Sequence, residues 1–486
     1  MNVLFITAEM APLAKVGGLA DVAGALPKAL KQLGVDIRVV MPKYASIDTS
    51  QYPLQHVADG ITIPFKGTTE VVSLYATTIP GSDVPVYLIE HPGYLSTHAI
   101  YFEDIERQDK TQLEAERFLF FSRASLAIPA STGWYPDIIH CQDWHVGLVP
   151  ILRDILGKKD ARLARAKTLL TIHNLEYQGW YQKQTVFDLL GLTPSDHPAL
   201  RDTPRDQIIS LRHGILTADY LNTVSETYAH EILTPEFGAH LEHDLHNRQR
   251  QLRGIVNGID TERFDPETDT AIAATYTAAH PENKKQCKTA LQKLCDLPTD
   301  TEAPLLGIVS RLAQQKGIDL LVDIIDDIAE SGAQLVVLGT GLPDIEQAVQ
   351  AAAKRNPASV SAQIGFDGTL ARRIYAGCDF FLMPSRYEPC GLGQMIAMRY
   401  GTVPVVRATG GLKDTVHEIT VNGAAGEGFV FDEYSAPQFL QAIQRGLGLY
   451  QNEKAWHTVI SRIMRLDFSW DASARQYYQL YQTLKP

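Results

Sequence analysis

The chain has 486 residues, too many for a single hydrophobic core, so we expect two or more domains. Hydrophobic residues make up 45% of it and charged residues 21%, which is ordinary for a soluble globular enzyme. Its 44 basic and 56 acidic residues give a net charge of −12, which argues against a nucleic-acid partner but leaves room for a small anion held by a few cations.

The cysteine content and the hydropathy favour a cytoplasmic protein without a membrane partner. The five cysteines form no C-x-x-C pair, and reduced thiols are their expected state. The first ten residues, MNVLFITAEM, are apolar but carry no basic leader, which indicates a buried strand rather than a signal peptide. No stretch approaches the ~20 apolar residues that are needed to cross a bilayer.

Short apolar runs alternate with amphipathic segments through the first half of the chain. Their length and β-branched content predict strands that are covered on both faces, as in a parallel sheet. These predicted strands are residues 3–7, 35–41, 86–90, 138–141, 168–172 and 220–224. Apolar residues at helical spacing over 18–33 predict a helix directly after the first strand and its glycine loop.

A second alternating series begins near residue 304, after a polar segment without strand signal. We therefore predict an α/β protein of two doubly wound, Rossmann-like lobes, 1–262 and 263–465, that face each other across a deep cleft with the ligand at the carboxyl ends of the strands. Residues 466–486 predict a closing helix that packs back on the N-terminal lobe.

The first candidate site is the loop from Lys15 through Gly17 and Gly18, between the first strand and its helix. Glycines let the backbone approach a ligand, and a helix N-terminus presents free N–H groups to an anion. The loop matches neither a P-loop nor G-x-G-x-x-G. A glycine turn of this kind also occurs as a plain connection.

Two further candidates follow strands of the second series. Arg311 and Lys316 lie at the end of one strand, where two cations can converge on a diphosphate or simply face solvent. Glu388 follows another strand, just before a helix predicted to begin near Gly391. Its carboxylate can accept sugar hydroxyls, or it can be an ordinary acidic residue at a helix start.

The fourth candidate combines the strand ends at His173 and at the segment DIIHCQDWH. Both could line the cleft, although a lone histidine such as His140 is more often structural. His140, Cys141 and His145 could be imagined as metal ligands. Because no second cluster has zinc spacing, we expect no metal ion.

Nine segments occur in order along almost the whole chain: KVGGLADV, HCQDWH, TIHN, TVSETYAHEI, GIVNGID, SRLAQQKG, PSRYEPCGLGQ, TGGLKDTV and DFSW. Together they resemble bacterial glycogen synthases and plant starch synthases, which are retaining glycosyltransferases of the GT-B fold. The resemblance implies transfer of glucose from ADP-glucose to the non-reducing end of an α-1,4-glucan, with no cofactor.

The resemblance also implies residue roles. The implied catalytic residues are Lys15, His173, Arg311, Lys316 and Glu388. The implied donor-binding residues are Lys15, Gly18, Asp21, Asn257, Arg311, Lys316, Phe366, Glu388, Cys390, Gly391, Leu392 and Gly393. Those implied near the acceptor are Asp143, His173 and Asn174. Within this scheme the two cations of the second lobe hold the diphosphate, His173 lies beside the anomeric centre, and Phe366 stacks on the nucleobase.

The chain departs from the family pattern at two positions. Relatives commonly read CGLTQ where this chain has Gly393 in place of the threonine, so any contact from that side chain is lost. More distant GT-B enzymes have a second glutamate eight residues after the first, where this chain has Ile396. Bacterial glycogen synthases also lack that glutamate, which favours them over the wider superfamily.

Glu388 is the one convincing carboxylate, whereas retaining hydrolases use two about 5 Å apart. A front-face reaction, in which the departing phosphate takes the proton of the acceptor hydroxyl, therefore fits better. The sequence leaves three alternative functions: a GT-B transferase with another acceptor, a two-lobed sugar-binding protein, and an NAD-dependent oxidoreductase. The last is disfavoured because Gly339-Thr-Gly341 is the only G-x-G after a strand and lacks the rest of the fingerprint.

Overall fold

The computed structural model describes residues 1–102, 107–201 and 203–484. The chain divides into two compact units. The first comprises Met1–Val224, Ala229–Ile255 and the C-terminal segment from Trp470, and the second comprises Ser225–Tyr228 and Val256–Ser469.

The crossing into the second unit lies at Val256, whereas the sequence prediction puts the boundary after residue 262. The intervening run bonds within the second unit, since the Ile259 N–H donates to the Phe468 carbonyl over 2.8 Å. The C-terminal helix begins at Trp470 rather than at residue 466, and residues 485–486 of the predicted helix lie outside the described residues.

The first unit is built on a mainly parallel sheet. Its strands are, in chain order, β1 (Asn2–Ile6), β2 (Asp36–Pro42), β3 (Gln55–Phe65), β4 (Thr68–Thr78), β5 (Pro85–Glu90), β6 (Ile138–Gln142), β7 (Lys167–Ile172), β8 (Trp180–Gln182), β9 (Gln207–Ile209), β10 (Tyr220–Thr223) and β11 (Leu252–Gly254). β8 and β9 form a separate antiparallel ribbon. The others pair in the order β11-β10-β7-β6-β1-β2-β5-β4-β3. The order reverses between β1 and β6, which is where doubly wound sheets bind ligands.

The edge of this sheet differs from the doubly wound prediction. β3 and β4 form an antiparallel hairpin that extends the parallel part beyond β5. Its two-residue turn, Lys66 and Gly67, has positive φ at both positions, 55° and 70°. This is the geometry that matches the twist of a hairpin.

The second unit contains a fully parallel sheet. Its strands are β12 (Leu305–Val309), β13 (Gln334–Gly339), β14 (Val360–Ile364), β15 (Phe380–Met383), β16 (Val403–Arg407) and β17 (Phe429–Phe431). They pair in the order β14-β13-β12-β15-β16-β17, so the reversal lies between β12 and β15. The strands are buried on both faces, as the apolar run of β13 shows, because helices cover the two sides of such a sheet.

Helices follow most of the strands. In chain order they are α1 (Gly18–Gln32), α2 (Arg107–Ser125), α3 (Ile128–Thr132), α4 (Val149–Gly157), α5 (Ala161–Arg165), α6 (Lys183–Leu190), α7 (Ser210–Thr217), α8 (Glu226–Glu231), α9 (Glu242–Asn247), α10 (Lys284–Leu294), α11 (Ile318–Glu330), α12 (Pro343–Arg355), α13 (Gly368–Gly377), α14 (Gly393–Arg399), α15 (Gly410–Thr415), α16 (Ala436–Tyr450), α17 (Glu453–Ile463) and α18 (Trp470–Leu484). In the part of the chain that the structure describes, none of them has both the length and the apolar character of a membrane span.

The closing helix α18 packs in the core of the first unit. Tyr477 and Tyr481 are fully buried there, in a cluster that also contains Leu26 and Leu30 of α1. The Tyr481 hydroxyl lies 2.7 Å from Nδ1 of His140, whose Nε2 lies 2.6 Å from the Thr171 hydroxyl. His140 is therefore a structural residue that ties α18 to the sheet.

Candidate active site

The strand ends at the switch point of the second unit carry an ion pair. Lys316 lies in a 3₁₀ turn after β12, and Glu388 follows β15. The Lys316 ammonium donates to both Glu388 carboxylate oxygens, at 2.9 and 2.7 Å, and the Ser385 hydroxyl donates to one of them at 3.0 Å. Glu388 is 6% exposed. Two predicted site residues thus meet at the carboxyl edge of the sheet.

Glycines set the backbone around this pair. Gly317 has a φ of 69°, and a Cβ there would lie 1.9 Å from the Pro384 carbonyl oxygen. Behind Glu388, a Cβ at Gly410 would lie 2.0 Å from the Glu388 carbonyl oxygen, and the Gly411 N–H donates to that oxygen at 3.1 Å. Only glycine lets these loops pack so closely, and this packing fixes the positions of the Lys316 and Glu388 side chains.

Arg311 takes a different direction from Lys316. Its guanidinium donates to Gln315 Oε1 at 2.9 Å, and the residue is exposed. Arg311 and Lys316 leave the same strand end, but the cation that the structure brings to Glu388 is Lys316.

The loop after Glu388 is held from inside by Gln394. The Gln394 side-chain amide donates to the carbonyls of Cys390 and Gly391, at 3.2 and 2.9 Å. Helix α14 begins at Gly393 rather than near Gly391, because Gly391 has a left-handed φ of 73°. The N–H groups of Gly391 and Leu392 therefore belong to a turn, and only that of Gly393 lies at the start of the helix.

Cys390 and Asn257 meet beside this loop. The backbone N–H of Asn257 bonds to the Cys390 sulfur, and burial raises the pKa of the Cys390 thiol to about 12. Cys390 is thus a neutral thiol and not a nucleophile. Asn257 is 6% exposed, and its side-chain oxygen has no hydrogen-bond partner among the described residues. That buried oxygen can accept a hydrogen bond from a ligand.

Phe366 lies two residues after β14. Its side chain is 93% exposed, and the preceding residue is Gly365. A single exposed aromatic ring is not unusual on a protein surface. Its position after a strand of the same parallel sheet nevertheless leaves one ring face free to cover a flat ligand.

In the first unit, the predicted glycine loop joins β1 to α1. Helix α1 begins at Gly18, as the apolar spacing predicts. The Lys15 ammonium bonds to both oxygens of Asp21, at 2.6 and 2.7 Å. Their side chains are 37% and 32% exposed, so the pair contributes little stability. Lys15 is therefore a partly exposed cation at the carboxyl end of β1.

Glu9 supports this loop, and the sequence interpretation missed it. Its Oε2 accepts the N–H groups of Val16 and Gly17, at 2.7 and 2.9 Å. Its Oε1 accepts the Tyr101 hydroxyl at 3.1 Å, and the residue is only 3% exposed. A buried carboxylate that takes two backbone N–H groups fixes the loop that carries Lys15. The sequence signal that could have identified Glu9 is its position as an acidic residue just after an apolar strand.

His173 follows β7 and lies at the same edge of the first sheet. Its Nε2 is 2.8 Å from Gln142 Oε1, an acceptor, which places the ring hydrogen on Nε2 and leaves Nδ1 as an acceptor. Burial lowers the pKa of His173 to about 3. The ring is neutral near pH 7 and therefore offers hydrogen bonds rather than charge. The neighbouring Asn174 caps its turn by accepting the Glu176 N–H at 3.1 Å.

Asp143 follows β6, next to β1 at the switch point. It has a φ of 64°, unusual for a residue other than glycine, and such strain is often found at functional sites. Its carboxyl accepts the Trp144 N–H at 3.0 Å, and burial raises its pKa well above the usual range. Asp143 is thus a buried carboxyl that holds its proton more tightly than an exposed one.

His145 packs among aromatic rings. It stacks on Trp144 with ring centroids 4.1 Å apart and lies edge-on to Phe118. Both of its ring nitrogens are buried, and burial lowers its pKa to about 3. In those residues, no group of three or more His, Cys, Asp and Glu side chains is placed to hold a metal ion.

This burial predicts acid sensitivity at His145. An unfolded histidine binds a proton near pH 6.5 and the folded one only near pH 3, so the unfolded state binds more protons in between and stability falls as pH falls. His145→Phe removes that proton. Between pH 7.5 and pH 4.5, the wild type should lose about 2–3 kcal/mol more unfolding free energy than the variant. Urea titrations at both pH values measure this, and equal losses would contradict it.

Two family models match the chain. The model described as the starch synthase catalytic domain matches residues 2–247, and the model described as glycosyl transferases group 1 matches residues 303–448. The chain is 44% identical to the glycogen synthase of Anaeromyxobacter sp. (strain Fw109-5), over 100% of this chain and 99% of that protein. It is 42% identical to the glycogen synthase of Thermotoga petrophila, over 99% and 98%. The chain belongs to the glycogen and starch synthase family.

Solved structures agree with this membership. The catalytic domain of starch synthase IV from Arabidopsis thaliana, bound to ADP and acarbose, superimposes with a TM-score of 0.89 at 34% identity over 99% of both chains. Sucrose-phosphate synthase from Thermosynechococcus elongatus gives 0.59 at 20% identity over 99% of this chain and 98% of that one, which shows the shared fold alone. The predicted family, the two-lobed α/β fold class and glucosyl transfer in glycogen or starch synthesis are confirmed. The sugar-binding protein is thereby set aside.

Proposed function

We propose that this glycosyltransferase moves glucose from ADP-glucose to the non-reducing end of an α-1,4-glucan with retention of configuration. The observation that carries the proposal is the Lys316–Glu388 pair at the switch point between β12 and β15. It combines a cation for phosphate with an acceptor for sugar hydroxyls. The choice of ADP is supported by the Arabidopsis relative, whose structure holds ADP together with acarbose.

The second unit supplies the donor site in this proposal. Lys316 and Arg311 bind the diphosphate, and Arg311 leaves Gln315 to do so. Glu388 and the N–H groups of residues 390–393 bind the glucose hydroxyls. The unpartnered oxygen of Asn257 accepts a donor hydroxyl, and Phe366 covers the adenine. Gly393 contributes only backbone.

The first unit supplies the remaining groups. Lys15 adds a positive charge for the leaving group, with Gly18 giving close backbone approach and Asp21 holding the ammonium until substrate arrives. Nδ1 of His173 accepts a hydrogen bond beside the anomeric centre, while the Nε2–H donates to Gln142. Asp143 and Asn174 line the acceptor side.

The chemistry follows from where charge develops. As the anomeric C–O bond to the diphosphate breaks, positive charge grows on the sugar and negative charge on the leaving phosphate. Preorganised cations such as Lys316 lower the energy of this state. The acceptor oxygen forms the new C–O bond on the same face, and its proton passes to the departing phosphate oxygen. Neither a metal ion nor a cofactor takes part. Because His173 is neutral, it adds no positive charge that would attract the leaving phosphate.

We also propose that the enzyme works in the cytoplasm on a nucleotide sugar and a glucan, without nucleic-acid or membrane partners. All five cysteines are free and buried, which suits a reducing compartment.

Nucleotide release tests the donor assignment. With ADP-glucose and UDP-glucose supplied separately, and glycogen or maltooligosaccharides as acceptor, we expect ADP release to be much the faster with both acceptors. Proton NMR of the first product should show an α-linked glucose, and EDTA should leave the rate unchanged. Equal rates from UDP-glucose would overturn the donor assignment. A trapped glycosyl–enzyme adduct would overturn the front-face reaction.

A further inference from the structure

A cavity lies within the second unit, along α17. It has a volume of about 850 Å³, ample for a small metabolite. Its lining residues are Ala278, Ala279, Ala424, Lys454, His457, Thr458, Ser461, Arg462, Arg465 and Leu466. None of these residues belongs to the strand ends of the candidate active site.

The polar lining comes from one face of a helix. Lys454, His457, Ser461 and Arg465 follow one another at intervals of three or four residues, so their side chains lie in a row along α17 and its last turn. Four of the lining side chains can carry positive charge, and no acidic residue is among the described residues that line the cavity. Such a cluster is uncommon on a chain whose net charge is −12.

Only some of these cationic side chains have hydrogen-bond or ion-pair partners among the described residues. No ion pair of Lys454 or Arg465 occurs among the described residues, and both are exposed. His457 lies 3.7 Å from Glu453, whose side chain is 79% exposed, a weak pairing. Lys454 and Arg465 are therefore free to bind an external anion.

Arg462 makes one wall of the cavity rigid. Its guanidinium donates to the carbonyl of Gly423 at 2.6 Å and also to that of Gly426. Its Nε remains buried without a partner among the described residues. The segment 423–426 is thus held against α17, and it forms one side of a cavity that is wide open to solvent.

We propose that this cavity binds a small molecule that carries a phosphate group. Lys454, His457 and Arg465 would surround the phosphate, and the hydroxyl of Ser461 would donate to one of its oxygens. The alanines and Leu466 offer an apolar floor for the rest of the molecule. No Phe, Tyr or Trp ring is among the described residues that line the cavity, which disfavours a neutral glucan because sugars bind by stacking on such rings. A polynucleotide would need a longer row of cations.

Equilibrium dialysis at low salt tests the proposal. The probes are inorganic phosphate, pyrophosphate, glucose 1-phosphate and, as the neutral match, glucose. The variant is Lys454→Ala/Arg465→Ala, and the control is Lys293→Ala/Lys354→Ala, which removes the same charge from two exposed lysines of α10 and α12. All proteins also carry Lys316→Met, which weakens phosphate binding at the strand ends.

We expect the Lys454/Arg465 variant to bind the phosphate probes at least ~10-fold more weakly than the control, the loss of about one charge-assisted hydrogen bond. Inorganic phosphate binding as tightly as glucose 1-phosphate would identify the phosphate itself as the ligand, and tighter binding of glucose 1-phosphate would identify a sugar phosphate. Equal affinities in variant and control, or glucose binding as well as the phosphates, would overturn the proposal. Because the comparison between variant and control concerns only the cavity along α17, its result does not depend on the ADP-glucose assignment.

Discussion

Replacing Lys316 with Met is expected to lower kcat about 10²–10³-fold, the usual effect of removing one preorganised group that stabilises transition-state charge. The same substitution should have a much smaller effect on the stability of the folded protein. Lys316 has one carboxylate partner, Glu388, which still accepts the Ser385 hydroxyl when the ammonium is gone. The kcat with ADP-glucose and the urea midpoint of the same preparation measure both effects.

Lys284 offers a matched control in the same unit. It is a buried lysine, whereas Lys316 is partly exposed, and its ammonium donates to the carbonyls of Ala376 and Tyr400 and to the Thr402 hydroxyl, at 2.7 to 3.0 Å. Burial lowers its pKa to about 8, so it remains largely protonated at pH 7. Lys284→Met removes the ammonium from the buried Ala376 carbonyl and Thr402 hydroxyl, whereas the Tyr400 carbonyl keeps the Tyr276 hydroxyl at 2.8 Å. The variant should lose about 3 kcal/mol of stability, since each buried polar group that loses its partner costs about 1–3 kcal/mol.

The two substitutions should therefore separate turnover from folding. Lys284→Met should retain kcat within about threefold at a temperature where it stays folded, because it touches no strand end of the site. If Lys316→Met kept the wild-type kcat and lost more stability than Lys284→Met, Lys316 would be a structural cation and the donor site would have to lie elsewhere.

Much of the fold could be predicted because parallel strands are buried on both faces. Residues 138–141 and 168–172 are mostly apolar or β-branched, and the structure places β6 and β7 within one residue of those bounds. Since such strands present their carboxyl ends at one edge, the polar residues that follow them could be identified as candidates without coordinates.

The hairpin of β3 and β4 was missed for the opposite reason. One face of this edge pair is exposed, so its strands contain many polar residues and have no apolar run. The turn at Lys66 and Gly67 was the available signal, but a lysine is not the usual first residue of such a turn.

The other features that the sequence did not predict depend on contacts between residues that are far apart in the chain. Nothing near His140 in the sequence shows that Tyr481 bonds to it, since the two residues are 341 positions apart. The support of the glycine loop by Glu9 and Tyr101 spans 92 positions and is equally invisible to motif spacing. Sequence patterns locate the groups that act on a ligand more readily than the groups that hold them in place.

The glycine loop of the first unit supplies the second large effect. Glu9 fixes the backbone at Val16 and Gly17, so the position of Lys15 does not depend on its own side-chain contacts. Its pair with Asp21 is about one-third exposed and should contribute at most about 1 kcal/mol to stability. Lys15 can therefore be removed without disturbing the loop.

Lys15→Ala is expected to lower kcat about 10²-fold, because under the proposed function the variant loses a cation that stabilises the leaving phosphate, while its melting temperature stays close to that of the wild type. Asp21→Asn is the control, since it removes the partner of the ammonium but leaves the cation and should reduce kcat far less. Initial rates with ADP-glucose and thermal unfolding of all three proteins decide the matter. An unchanged rate with a collapsed melting temperature would assign Lys15 to folding, whereas equal rate losses in both variants would make the Lys15–Asp21 pair, and not the cation, the functional unit.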